Sequence, residues 1–248
     1  MPEEVPIAFS YAGTTHAVMM ATPSDLTDFA IGFSLAEGII ETADDILDIE
    51  PIDAGPGIDV QITLKDTTAE ALTLRRRRMA GPVGCGLCGI ESIDQAMRDV
   101  RQVGEGIRLA GEEIATAMRV LGEAQVLNRQ TRAVHGAGFY IPGEGLFAIR
   151  EDVGRHNALD KLCGAVLAAG RSGAEGAVVV TSRLSVEIVQ KTAALGSSLL
   201  VAISAPTALA IETAETAGIT LVGIARGDDF EIFTKPERIT SGVPADVA

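Results

Sequence analysis

The sequence predicts an α/β protein, with a regular second half joined to a smaller, less regular α+β first half. Two patterns carry that expectation. Residues 176–181 (GAVVVT), 199–203 (LLVAI) and 220–224 (TLVGI) are short uncharged runs, as in strands covered by helices on both faces. Between them, residues 185–195 and 207–217 have helical patterns, with Gly196 and Gly218 where helix C-caps belong. Strands alternating with helices imply right-handed crossovers and a mainly parallel sheet.

The remaining elements follow in chain order. Residues 5–10 and 16–21 read as strands around a turn at Ala12-Gly13. Ser24 is placed to cap a helix running to Glu37, with Asp25 and Asp28 favourably set in its first turn. Residues 46–52 and 58–64 form another strand pair, and residues 74–90 (LRRRRMAGPVGCGLCGI) read as a mobile loop separating the halves. Residues 112–127 read as one helix. Residues 138–141 and 146–149 form a hairpin around Pro142-Gly143-Glu144-Gly145, followed by a helix over 157–169. There is no internal repeat and no low-complexity tract.

Composition narrows the function. The 248 residues carry 34 Asp+Glu against 20 Lys+Arg, a net charge of −14, with 4% aromatics and no Trp. This disfavours duplex nucleic acid, which needs a basic footprint, and single strands, which need stacking platforms. A local cluster of positive groups can still bind an anion, so proteins and small molecules are the expected partners. The N-terminus, MPEEVPIAFS, is not a signal peptide. Residues 192–211 are uncharged over membrane-span length, but Gly196, Ser197, Ser198, Ser204, Pro206 and Thr207 interrupt them. A cytoplasmic protein that does not cross a membrane is expected.

Three cysteines are too few for a disulfide framework. Cys85-Gly86-Leu87-Cys88 is flanked by Gly84 and Gly89, and a helical pattern opens at Glu91. A thiolate just before a helix N-terminus is favoured by the backbone amides there, and Arg75–Arg78 add positive potential if the loop folds back. Zinc is disfavoured because four ligands are needed and Cys163 lies alone in a helical segment. No metal site is expected. Two surface cysteines without a role is the bland reading. The other is a nucleophile or sulfur carrier on glycine hinges.

The run Glu151-Asp152-Val153-Gly154-Arg155-His156-Asn157-Ala158-Leu159-Asp160-Lys161 straddles a strand-to-helix junction, a common ligand-binding place in α/β sheets. His156 and Asn157 could meet an anion at the helix start; a local network of salt bridges and caps explains the spacing equally well. Three strand ends form a further candidate: Thr181-Ser182-Arg183, Ser204-Ala205-Pro206-Thr207 and Ala225-Arg226-Gly227-Asp228-Asp229. A parallel sheet brings them to one edge, where hydroxyls, helix-start amides, Arg183 and Arg226 suit a nucleotide diphosphate; ordinary turn chemistry is the alternative. At His135-Gly136-Ala137, the residue two places after the histidine is Ala, where zinc deaminases carry their catalytic Glu, and no cysteine pair follows.

Taken together, GCGLCGIES (84–92), VHGAGFY (134–140), EDVGRHNALDK (151–161), TSRLSVEIVQKTA (181–193) and the run 204–234 from SAPT to EIFT resemble the formate dehydrogenase accessory sulfurtransferase family (FdhD). The resemblance implies a cytidine-deaminase-like C-terminal domain (126–248) that has lost its zinc chemistry, and an N-terminal α+β domain (1–125) that ends with the CxxC loop and helices. It also implies a homodimer. By resemblance, Cys85 carries a persulfide taken from a cysteine desulfurase, with Cys88 its partner. The sulfur then passes to a molybdenum or tungsten bis-pterin guanine dinucleotide cofactor before that cofactor enters the formate dehydrogenase catalytic subunit. Ile224, Ala225, Arg226, Gly227, Asp228 and Asp229 are the implied cofactor-binding segment. Ser182, Arg183, Ser204, Ala205, Pro206, Thr207 and His156 complete the candidate site, and GDP is expected to bind as a partial mimic. A non-catalytic cofactor chaperone with a redox CxxC is the alternative.

Overall fold

The computed structural model describes residues 1–79 and 100–240. Among these, the first half builds a four-stranded sheet in the order β2-β1-β4-β3 from β1 (Val5–Tyr11), β2 (Thr14–Ala21), β3 (Ile46–Asp53) and β4 (Ile58–Leu64). Both expected hairpins form, and β1 pairs with β4 in parallel between them. Helix α1 (Leu26–Ala36) covers one face, where Phe9 stacks on Phe33 and meets Phe29 edge-on.

The start of α1 departs from expectation. Ser24 is not its cap; Asp25 holds the N-cap position at φ 52° without a side-chain cap bond. The reason lies far along the chain: Arg150 donates to Asp28 at 2.8 Å and lies 3.5 Å from Asp25, answering the acidic first turn. The expected loop over 74–90 is also corrected at its beginning. Helix α2 (Asp66–Met79) runs through the arginine stretch, in keeping with its Ala, Leu, Glu and Arg content. The rest of that segment, with Cys85 and Cys88, lies outside the described residues.

The second half forms a six-stranded sheet, β11-β10-β9-β8-β6-β7, from β6 (His135–Ile141), β7 (Gly145–Asp152), β8 (Ala177–Val180), β9 (Leu199–Ala202), β10 (Thr220–Arg226) and β11 (Asp229–Ile232). It is mixed rather than mainly parallel. Only β8, β9 and β10, joined by helical crossovers, run parallel, whereas β6 meets β7 and β8, and β10 meets β11, in antiparallel fashion. Two-way burial of the short strands is as expected. Val178, Val180, Leu200, Ala202 and Leu221 face one core, and Ala177, Val179, Leu199, Val201 and Val222 face the other.

Helices α5 (Arg155–Ala168), α6 (Val186–Leu195) and α7 (Ala208–Ala217) cover the face towards the first half. Gly196 and Gly218 end α6 and α7 at φ 87° and 75°, the left-handed geometry glycine accepts without penalty. On the opposite face lie helix α3 (Gly111–Ala124) and a two-stranded ribbon of β5 (Leu109–Ala110) and β12 (Ile239–Thr240). The single helix expected over 112–127 is broken at Gln125. A separate α4 (Val126–Thr131) starts there because the Glu151 carboxylate accepts from the Leu127 and Asn128 amides at 2.7 and 2.8 Å.

The two halves meet through α1 and α5 at backbone contact. A Cβ on Gly32 would overlap the Asp160 carbonyl, and one on Gly164 would overlap that of Asp28. One continuous apolar cluster therefore runs from Ile7 and Phe9, through Phe29 and Leu159, to Val180 and Ala202. Among the described residues, no helix is long and apolar enough to cross a membrane.

Candidate functional site

The ends of the parallel strands come together as a single edge. Ile203 donates its amide to the Val180 carbonyl at 3.3 Å, Leu184 bridges Pro206, and Thr207 donates to the Leu184 carbonyl at 3.0 Å. On the far side Ile224 donates to the Ser204 carbonyl, and the Arg226 side chain donates to that of Ile203 at 3.2 Å. Ser182-Arg183, Ser204 to Thr207 and Ile224 to Asp229 are therefore neighbours. Arg183, Ala205, Thr207, Arg226, Gly227, Asp228 and Asp229 are exposed, while Ser204, Pro206 and Ile224 are half-buried.

Two side chains at this edge serve the fold. Ser182 is buried and donates to the Arg183 carbonyl, and the Thr207 hydroxyl caps α7 by accepting from the Ala210 amide at 3.2 Å. The acidic pair Asp228-Asp229 sits exposed in the β10–β11 turn, where Gly227 takes φ 60° and Arg226 pairs with Asp229.

One residue at the edge is strained. Ile224 sits at φ 55°, where the β10–β11 register shifts between Gly223 and Arg226. A β-branched side chain in the left-handed region is unfavourable by about 1–3 kcal/mol and persists only where its surroundings hold it, a state common at ligand sites. Sequence patterning gives no sign of it, because TLVGI looks like an ordinary strand.

The run 151–161 divides into two groups. Asp152, Asn157, Asp160 and Lys161 are buried in networks that hold the fold. Lys161 lies 2.6 Å from Asp152 and donates to the Thr22 carbonyl at 2.8 Å; the Thr22 amide donates to Asp152; Asn157 donates to the Met20 carbonyl and to Asp152. Asp160 pairs with Lys191 at 2.6 Å. The capping-and-salt-bridge reading thus accounts for these four, and the end of β2 with Thr22 is stapled to the end of β7 and to α5.

Arg155 and His156 belong elsewhere. His156 Nε2 lies 3.1 Å from the Glu187 carboxylate, joining the first turns of α5 and α6. Burial pushes its pKa down to about 4, helped by Arg155, Lys191 and His135 and opposed by Glu187, so the ring is neutral at pH 7. His135, at the start of β6, is lowered as well, first by burial and then by Arg155 and Arg183. Among the described residues, three buried polar atoms in this neighbourhood have no partner: Arg155 Nε, His156 Nδ1 and Ser185 Oγ. Ser185 is the N-cap of α6, yet its hydroxyl makes no cap bond. Of these, only His156 stands out in the sequence as a site residue. Ser185 and Glu187 are missed because their role depends on two helix starts meeting.

Cys163 lies inside α5, fully buried, its thiol raised beyond the normal range by burial and by Asp160. It is packing, not chemistry.

The chain is thus an α/β protein with a charged, partly unsatisfied edge at the C-terminal ends of its parallel strands, the place where open α/β sheets in general bind ligands. The chain belongs to the FdhD/NarQ family, whose model matches residues 2–240. It is 65% identical over 242 residues to the sulfur carrier protein FdhD of Agrobacterium fabrum, covering 96% of this chain and 89% of that protein. It is 56% identical over 240 residues to its counterpart in Brucella abortus, at 96% and 89% coverage. A solved structure from Desulfotalea psychrophila, described as a formate dehydrogenase accessory protein, superposes with a TM-score of 0.76 at 27% identity, covering 96% of this chain and 90% of that one.

Proposed function

We propose that the protein is a sulfur carrier for formate dehydrogenase maturation. The observation that carries this reading is the 65% identity to a relative named sulfur carrier protein FdhD. In our reading, the Cys85 thiolate attacks the outer sulfur of a persulfide on a cysteine desulfurase. A new S–S bond forms at Cys85, the donor's S–S bond breaks, and the donor leaves as a thiolate. Cys88 then attacks the Cys85 sulfur: a Cys85–Cys88 disulfide forms, the persulfide S–S bond breaks, and the outer sulfur leaves as hydrosulfide for a molybdenum or tungsten bis-pterin guanine dinucleotide, held as cargo at the strand-end edge until it is delivered to the formate dehydrogenase catalytic subunit. Cys88 partners Cys85, and the protein works in the cytoplasm as a homodimer.

The clustering of the three strand ends supports the nucleotide part of this reading, as does Ile224 held at φ 55° within the implied binding segment. We read the six-stranded sheet as a deaminase-like scaffold that has lost its zinc chemistry, with Ala137 two places after His135. The test is mass spectrometry after incubation with a cysteine desulfurase and cysteine. A carrier gains one sulfur, reversible by thiol reductant, and Cys85→Ala does not. Cys85→Ala should still bind GDP in calorimetry while failing to activate formate dehydrogenase. Absence of the added sulfur from the wild-type protein, with GDP still bound, would leave a cofactor chaperone instead.

A further inference from the structure

The first turns of α5 and α6 face each other across the His156–Glu187 contact. Each helix start presents backbone amides that no helical carbonyl accepts from, and each carries the positive end of its dipole. Around this junction stand Arg155, His135 and Arg183, and the unpartnered buried atoms are Arg155 Nε, His156 Nδ1 and Ser185 Oγ. Leaving a buried donor or acceptor unmade costs about 1–3 kcal/mol each. Three from two adjoining helix starts leave hydrogen-bonding capacity that nothing among the described residues satisfies.

We propose that Arg155, His156 and Ser185 form a diphosphate subsite at the strand-end edge, and that filling it places a proton on His156. The inference rests on the nucleotide reading above and assigns its phosphates to a place apart from residues 224–229. Oxyanions suit the Arg155 guanidinium, the Ser185 hydroxyl and the free helix amides. A neutral His156 does not fit that picture. Its Nε2–H faces the Glu187 carboxylate, which leaves Nδ1 as a bare lone pair that repels a phosphate oxygen. Protonation turns Nδ1 into a donor, and the imidazolium then lies between two anions, Glu187 and the diphosphate. The charged groups facing His156 are Glu187 and Lys191 from α6, Arg155 from its own helix and His135 from β6. Without a ligand, burial, reinforced by Arg155 and Lys191, outweighs Glu187 and the ring stays neutral. A diphosphate reverses that balance, so binding takes up a proton and tightens as pH falls.

The experiment follows the imidazole NMR signals of the chain's three histidines with inorganic pyrophosphate as the probe, His156 being assigned through His156→Gln. Pyrophosphate should raise the His156 titration midpoint by at least about one pH unit. Calorimetry in buffers of different ionisation enthalpy should show proton uptake that disappears in His156→Gln. Arg155→Gln and Ser185→Ala should weaken pyrophosphate about tenfold or more with melting temperature retained. A purely structural role for these residues would move stability and leave proton uptake intact. An unmoved His156 midpoint, or proton uptake persisting in His156→Gln, overturns the proposal. GDP and guanosine then separate the two ideas: if pyrophosphate titrates His156 while neither nucleotide compound binds, the nucleotide reading fails and the oxyanion subsite stands.

Discussion

Asp152 and Lys161 have no exposed side-chain surface, so replacing either leaves a charge buried alone. Lys161→Met is expected to lose about 3–5 kcal/mol of stability, read as a lower urea midpoint at an unchanged slope. At His156 the folded-state pKa of about 4 lies below the ordinary histidine value of 6.5. The folded protein therefore binds fewer protons than the unfolded chain between those values. The stability from this histidine is present above about pH 6.5 and lost as pH falls towards 4. Solvent screening of a side chain 23% exposed limits the loss to about 1–2 kcal/mol. His156→Gln should flatten the stability-versus-pH curve in that window, as denaturant titrations at stepped pH would show. Ile224→Gly should be at least as stable as the wild type by thermal melting, because glycine relieves about 1 kcal/mol or more of strain. The motif 151–161 was legible as a cluster of charged and polar residues, but its division of labour was not. Asn157 and Lys161, four residues apart, share the helix face towards residues 20–22, while His156 points to a neighbour that only the fold supplies.

Helix existence was easier to read from sequence than helix boundaries. Capping glycines and apolar periodicity are local signals, and α6 and α7 end where Gly196 and Gly218 place them. The break at Gln125 and the start of α1 are dictated by Glu151 and Arg150, whose partners are distant in sequence. The α1–α5 crossing is equally silent, since a glycine at position 32 or 164 says nothing of which backbone approaches it. Either Gly32→Ala or Gly164→Ala must push two helix backbones apart, at a cost of about 3 kcal/mol or more. Urea denaturation should show that loss for both, whereas Gly122→Ala, on open surface, should not destabilise.

At the scale of the molecule, the second half announced its class because alternating strand and helix signals are dense there. The mixed sheet was obscured because pairing partners, unlike strands themselves, are not a property of local sequence. The apolar cluster crosses from one half to the other, so cooperative unfolding is expected. The chain offers its own reporters: with no Trp, emission comes from two tyrosines, Tyr11 in the first sheet and Tyr140 in the second. In Tyr11→Phe and Tyr140→Phe, the remaining tyrosine should unfold at the same denaturant concentration as the far-UV circular dichroism signal. Separate midpoints within either variant would mean that the halves melt independently. The staple between α5 and residues 20–22 has a further consequence. On one side it is written in the side chains of Asp152, Asn157 and Lys161; on the other it is written mostly in main-chain atoms, the carbonyls of Met20 and Thr22 and the Thr22 amide. These main-chain groups are common to every amino acid except proline, which lacks the N–H, so substitutions at Met20 leave its carbonyl's part of the grip untouched. Chimeras that graft a relative's first 65 or so residues onto this second half should be accepted where residues 20–22 keep their path, Gly32 and Asp28 are retained, and the graft keeps the apolar face that α1 packs against α5.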